Sequence, residues 1–402
     1  MIDLNEFISE KVICRKESMF IGDIRQKEQI LENKIKNKTL LVIGGAGSIG
    51  SSFIKAILPF KPKSLVVVDI NENALAELTR ELRSTKDMHV PEDYVTYPMD
   101  FASLVFEKMF RNREGFDIVA NFSAHKHVRS EKDIYSIEAL LRNNVLNLKK
   151  LLDLLEEFPP EEYFCVSTDK AANPVNIMGA SKRLMEDVIF SYSDKFPVKT
   201  ARFANVAFSN GSLPLGFTNR LAKLQPLSAP SDIKRYFVSP EESGQICLLA
   251  CILGENREVF FPKFEEAQMM SFDKIADSLL EAYGYKPLLC GSDEEAIEKM
   301  DLVRNGSKMY PVHYSVSNTS GEKMFEEFFT DEEEIELKRF DALGVIVNKA
   351  PVKKEKIDKL FSDLEIAFGN SMISKAEIVN IIKKYLPNFE HIEKNKSLDS
   401  KM

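Results

Sequence analysis

From residue 39 onward, short apolar runs alternate with longer amphipathic stretches. Residues 39–43, 64–68, 94–99, 117–122, 162–166 and 198–203 are compact runs dominated by Val, Ile, Leu, Tyr and Phe. Unbroken runs of that length suit strands buried on both faces, as in a parallel sheet. Between them, residues 51–58, 72–83, 103–112 and 137–157 repeat apolar side chains at helical spacing. The alternation predicts an α/β fold built on a doubly wound parallel sheet. A short helix is expected over 24–36, ahead of the first strand, and another beyond Ser181. From about residue 265 the pattern is mixed α/β. Residues 319–328 read as a capped helix start and 331–334 as a solvated acidic turn. Residues 351–390 read as a lysine-rich helical extension, with Ser374 and Glu377 spaced as a capping box. The final ten residues read as a frayed end.

Composition narrows the class. The 402 residues suffice for two or three domain-sized units and a large core. The net charge of -8 argues against a general nucleic-acid binder, although a basic pocket for an anionic substrate fits within it. Five widely scattered cysteines without metal-ligand company suit a reduced, cytoplasmic setting, and no metal site is expected. The apolar run at 246–253, which carries Cys247 and Cys251, is too short to span a bilayer and reads as core. The N-terminus lacks a signal pattern, so no membrane span is expected.

Candidate chemistry gathers where the apolar runs end. Gly44, Gly47 and Gly50 follow the first strand at G-x-x-G-x-x-G spacing and enclose Ser48 and Ile49. Glycines there allow a tight turn and let backbone N–H groups approach a pyrophosphate at the next helix start. Asp69 ends the second strand, where a carboxylate accepts from the adenosine ribose hydroxyls and repels a 2′-phosphate. NAD is therefore expected over NADP. A cap for the following helix is the plainer role for Asp69. Asp100 ends the third strand and is a candidate for the adenine edge. Ala124 is small enough for close approach of a cofactor, and Lys126 and His127 stand near the expected pocket mouth. After the strand at 162–166 comes Ser167-Thr168-Asp169-Lys170, with Met178 and Lys182 beyond it. A hydroxyl, a carboxylate and an ammonium at a strand end suggest an active site, and a capped turn is the bland alternative. The loop with Asn205 and Ser212 is polar and turn-rich, hence ligand-facing. Arg235 is a candidate phosphate fork, or else a surface ion pair.

Together these residues resemble the extended short-chain dehydrogenase/reductases, and among them the nucleotide-sugar 4,6-dehydratases of capsule, O-antigen and protein glycosylation. The carrying motifs are the glycine loop, Ala124-His125-Lys126-His127-Val128, Asn143-Asn144-Val145 and Ser167 to Lys170 with Asn173-Pro174. To these are added Asn176 to Arg183, Arg202-Phe203-Ala204-Asn205-Val206, Arg235-Tyr236-Phe237 and Gly321-Glu322-Lys323. The tyrosine usual in that family four residues before the helix lysine is Met178. That feature is similar to the UDP-N-acetylglucosamine 4,6-dehydratases that retain configuration at C5. Ser320 departs from the proline usual there, and the stretch from about 340 has no counterpart.

The resemblance implies a Rossmann-like fold with a leader at 1–38, an NAD-binding catalytic domain at 39–210, a nucleotide-sugar region at 211–340 and a helical extension at 341–402. It implies NAD as cofactor and a UDP-sugar as substrate, and a homo-oligomer is expected. Lys170 would take the C5 proton, Asp169 would protonate the leaving hydroxyl, Thr168 would bind O4, and Lys182 would hold the nicotinamide ribose. Lys126, His127, Asn205, Ser212 and Arg235 would contact the substrate. The competing readings are a 4- or 5-epimerase and a non-catalytic NAD-binding regulatory protein.

Overall fold

In the computed structural model, which describes residues 2–317 and 326–392, a nine-stranded sheet organises the chain. Its strands in chain order are β1 (Thr39–Ile43), β2 (Ser64–Asp69), β3 (Asp93–Pro98), β4 (Ile118–Asn121), β5 (Glu162–Val166), β6 (Val198–Ala201), β7 (Glu258–Pro262), β8 (Ile335–Glu336) and β9 (Leu343–Ile346). Their spatial order is β8-β9-β7-β6-β5-β4-β1-β2-β3. All neighbours run parallel except β9, which is antiparallel to both β7 and β8. The fold is Rossmann-like, as the alternating pattern predicts. The sheet does not end at 210, however, because three strands from later in the chain complete it.

Alternate residues of each strand face opposite helical layers. Leu40 and Val42 of β1 join one core with α1 (Ile21–Ile35), α2 (Ser48–Ile57) and the helix Glu72–Ser84. Leu41 and Ile43 face the other core, with the helix Leu104–Asn112 and α3 (Ile177–Phe190). α4 (Pro240–Leu253) carries Cys247 and Cys251, fully buried, and opens with a Ser239–Glu242 capping box. The predicted single helix at 137–157 is Ile134–Leu141 and Asn147–Glu157 joined by a π-helical turn, Arg142–Leu146.

A smaller region has its own core and a three-stranded parallel sheet of Lys286–Leu289, Met309–Ser315 and Leu227–Pro230. Phe7, Ile8 and Val12 insert into that core. The predicted leader is therefore divided: its first turn belongs to the small region and α1 belongs to the sheet.

The C-terminal extension is α5 (Lys354–Gly369) and α6 (Lys375–Tyr385), whose predicted Ser374–Glu377 capping box is present. Both pack on the α3 side of the sheet. The predicted helix start at 319–328, the Gly321-Glu322-Lys323 motif and the last ten residues fall wholly or largely outside the described residues. The acidic stretch 331–334 is not simply solvated. Glu333 is a buried carboxylate paired with Arg202 at 2.8 Å and with Lys349.

Candidate active site

A cleft of about 620 Å³ opens at the C-terminal ends of β1 to β6. Chain order reverses there, since β1 has β2 on one side and β4 on the other, and loops diverge at such a point to leave a crevice.

One end of the cleft is built from the glycine loop. Gly44 has φ +70°, and a Cβ there would lie 2.7 Å from the Ser123 backbone nitrogen, so only glycine fits. α2 starts at Ser48 with no side-chain cap at Gly47, leaving first-turn N–H groups free to meet an anion. Gly44, Gly47, Ser48, Ile49, Gly50, Asp69, Asp100 and Ala124 all line this end. Asp69 accepts the Ala46 N–H at 3.1 Å and the Asn71 N–H at 3.0 Å. It thus ties the loop to β2, while Asn71 itself caps the next helix through the Ala74 N–H. The helix-cap role expected as the alternative for Asp69 belongs to Asn71. The Asn210 N–H donates to Ser48 Oγ at 2.8 Å, so the loop after β6 closes onto the glycine loop. An anion-ready helix start, a glycine cradle and a strand-end carboxylate are a donor set that fits a dinucleotide.

The other end holds the strand-end motif. Thr168, Asp169, Lys170, Met178 and Lys182 line it, together with Lys126, His127, Asn205 and Ser212. Thr168 Oγ1 donates to Asp169 Oδ1 at 2.7 Å. Lys170 Nζ lies 3.2 and 3.3 Å from the two Asp169 oxygens. α3 begins at Ile177 under an Asn176 cap, not beyond Ser181, so Met178 and Lys182 share one helical face. A Cβ on Gly179 would meet the Lys170 carbonyl at 2.6 Å, and this close approach seats the motif on the helix start. Lys182 is buried and donates to the Val166 carbonyl at 3.0 Å. Burial pushes its ammonium below the ordinary lysine range, against the opposing pull of Cys165 and Glu186.

Arg235 is not brought to the cleft lining. It is not a surface group either: it is buried, in a short strand, and its guanidinium donates to the Lys234 carbonyl at 2.9 Å. Ser212 reaches the cleft, but its hydroxyl accepts the Leu215 N–H and caps the helix Leu213–Ala222.

Several supporting contacts were not readable from sequence because they act across the fold. Ser167 donates to Glu186 at 2.7 Å, and Glu186 is gripped by the fully buried Arg202 at 2.6 and 2.8 Å. Burial alone would raise the Glu186 carboxyl, but Arg202 holds it below the usual carboxylate range. Asn144, on the π-helical turn, accepts the His125 N–H at 2.9 Å and donates to Ser181 at 3.0 Å. Glu131 accepts the Met178 N–H at 2.8 Å. The C-terminal segment reaches Glu131 in turn: His391 lies 3.6 Å from its carboxylate, and Lys375 donates to its carbonyl at 3.3 Å. Glu326 bonds Asn205 at 2.9 Å. The capping-type Asn176 and the Asn143-Asn144 pair were visible signals. Nothing in sequence pairs Glu131 with Met178 or Glu326 with Asn205.

The family described as polysaccharide biosynthesis protein matches residues 40–348. An uncharacterized membrane protein of Methanocaldococcus jannaschii is 30% identical over 89% of this chain and 98% of its own length. A probable polysaccharide biosynthesis protein of Bacillus subtilis is 27% identical over 73% of this chain, which spans about half (48%) of that relative's length. Among solved structures, a dTDP-glucose 4,6-dehydratase from Streptomyces venezuelae with NAD bound has a TM-score of 0.56 at 17% identity, covering 84% of this chain and 99% of its own. A UDP-N-acetylglucosamine 4-epimerase from Methanobrevibacter ruminantium has a TM-score of 0.54 at 14% identity, covering 83% and 99%. Both likenesses are of fold. Among the described residues, no helix is long and apolar enough to cross a membrane.

Proposed function

The chain belongs to the polysaccharide biosynthesis protein family, and from that premise we propose that it is an NAD-dependent nucleotide-sugar 4,6-dehydratase acting on UDP-N-acetylglucosamine. The observation that carries this reading is the Lys170–Asp169 contact at 3.2 Å inside the cleft, with a thioether, Met178, one helical turn before Lys182. An epimerase acting at C4 needs a hydride acceptor and a base for the 4-hydroxyl. The dehydratase needs that same base, which a thioether cannot be, but only the dehydratase also needs an acid for O6 and a base for C5.

Eliminating the 6-hydroxyl requires an acidic hydrogen at C5, and a ketone at C4 provides it. Bound NAD would supply the hydride acceptor at C4 and the hydride returned to C6. Lys170 removes the C5 proton. Asp169 takes the O4 proton as the ketone forms and gives it to O6 as the C6–O6 bond breaks, and water leaves. Thr168 hydrogen-bonds O4, and Lys182 holds the nicotinamide ribose and places positive charge beside C4. Lys170 then returns its proton to C5 on the face it came from, which retains configuration. The sugar loses one water, with no net oxidation. The Asp69 carboxylate would face the ribose hydroxyls and disfavour a 2′-phosphate, so NAD is preferred over NADP.

The fold likeness to the 4-epimerase supports a second reading in which the ketone is re-reduced at C4. Lys170→Ala separates the two. The dehydratase reading expects this variant to bind NAD and the nucleotide sugar while C5 exchange with solvent falls at least about a hundredfold. Undiminished exchange would remove Lys170 from its role.

A further inference from the structure

Both peptide groups of Met178 are tied to the segment that follows β4. The Met178 N–H donates to Glu131 Oε1 at 2.8 Å. The Met178 carbonyl accepts the Ser181 hydroxyl at 2.7 Å, and that hydroxyl accepts the Asn144 amide at 3.0 Å. Asn144 in turn pairs with the backbone of His125, taking its N–H at 2.9 Å and donating to its carbonyl at 2.9 Å. The short segment 125–131 therefore reaches Met178 twice, directly from Glu131 and from His125 through Asn144 and Ser181. Glu131, Asn144, Met178 and Ser181 are all buried.

Segment and helix both serve the cleft. The segment brings Lys126 and His127 to its lining, and α3 brings Met178 and Lys182. Both pairs lie beyond the strands that lead to them, β4 ending at Asn121 and β5 at Val166, so sheet register does not set the spacing between the pairs. The first turn of α3 also has orphan N–H groups to satisfy. Asn176 takes that of Gly179 at 2.7 Å, and the one on Met178 falls to Glu131. The C-terminal segment backs both partners. Lys375 donates to the Glu131 carbonyl at 3.3 Å, and the Ile392 N–H donates to the Val175 carbonyl, just ahead of α3, at 3.0 Å.

We propose that Glu131 is a positioning residue: by holding the Met178 peptide to the 125–131 segment, it fixes the spacing between Lys126 and His127 on one side and Met178 and Lys182 on the other. A misplacement of about 1 Å among groups that act on one substrate can cost on the order of a hundredfold in rate. The kinetic consequence rests on the dehydratase reading, and the positioning itself does not. What matters in this role is the reach of the side chain and its acceptor oxygen, rather than its charge.

Three variants separate reach from charge. Glu131→Gln keeps the reach and an acceptor, Glu131→Asp keeps the charge but falls one methylene short, and Glu131→Ala keeps neither. In the NAD-loaded protein with UDP-N-acetylglucosamine, Glu131→Ala should lose at least about tenfold in kcat, and Glu131→Asp at least about threefold, with KM changed by less than about threefold. Glu131→Gln should stay within about threefold of the parent in kcat. Full kcat in Glu131→Asp, or a loss in Glu131→Gln as large as that in Glu131→Asp, overturns the proposal. Proton–carbon NMR of the NAD-loaded protein with methyl-labelled methionine gives a readout independent of the reaction, the Met178 line being assigned by its loss from Met178→Leu. That line should move in Glu131→Asp and keep its parent position in Glu131→Gln, and these two variants decide the matter if Glu131→Ala does not fold. Such a pattern supports the positioning role even if the parent turns over no sugar and the dehydratase reading falls. A Met178 line unmoved in Glu131→Asp overturns the role even if dehydration proceeds.

Discussion

Met178 and Asp69 show how single residues divide the work of the cleft. In the proposed reaction a thioether cannot take a proton from the 4-hydroxyl, so acid–base work would fall to Asp169 and Lys170, which touch at 3.2 Å. Asp69 has a double role. Its carboxylate fixes the glycine loop through the Ala46 N–H and would meet the adenosine ribose. Asp69→Asn removes the repulsion toward a 2′-phosphate, so the affinity ratio of NADP to NAD should rise about tenfold, as read by fluorescence titration. An unchanged ratio would detach Asp69 from cofactor choice. The strand-end residues were legible because each follows an apolar run and carries chemistry in its type. Glu131 and Glu326 were not legible, because their roles come from approaches across 47 and 121 residues of chain.

At the scale of elements, the C-terminal helices brace the site as well as cover the sheet. α5 and α6 bury Leu360, Leu364, Ile378 and Ile382 completely, or nearly so, in the core that also holds Met178. Each such side chain contributes roughly 1.5–3 kcal/mol. Beyond α6, the Ile392 N–H donates to the Val175 carbonyl at 3.0 Å, and His391 stands beside Glu131. Removing residues 349–402 should therefore lower the melting temperature by more than about 10 °C and abolish turnover. The milder His391→Ala should melt within about 3 °C of the parent, bind NAD normally and lose about threefold in kcat. Full kcat in that variant would reduce the segment to a cover. The Ser374–Glu377 capping box was readable because a cap is local, a Ser with Glu three residues on. The start of α3 was misplaced although Asn176 is a capping residue, which opens the helix at Ile177. In the fold, Gly179 is where the Lys170 carbonyl comes close.

For the whole molecule, the doubly wound sheet was legible from alternating apolar runs. The mixing of regions was not, because no local pattern says that β7 to β9 rejoin the sheet or that Phe7 enters the small core. One buried network ties these parts together. Arg202 joins Glu186 of α3 to Glu333, and Lys349 joins Glu333 from beyond β9. Burial opposes ionisation of Glu333, but Arg202 and Lys349 prevail and hold it at about 2, down from 4.5. A lowered carboxylate stabilises the fold above its unfolded value and loses that contribution as pH falls toward the folded one. Acid unfolding should accordingly steepen between about 4.5 and about 2, and Glu333→Gln should flatten that window. Urea melts across this range would show it, and parallel pH curves for the two proteins would contradict it. Arg202→Met, which leaves Glu186 and Glu333 buried without their partner, should cost about 3–5 kcal/mol. The central claim concerns the reaction. NAD-loaded protein should be given UDP-N-acetylglucosamine deuterated at C4, in ordinary water, and the product followed by NMR. A 4-keto-6-deoxy sugar with the C4 deuterium transferred to C6 is the expected result. A C4 epimer that keeps its 6-hydroxyl and its deuterium at C4 would contradict it.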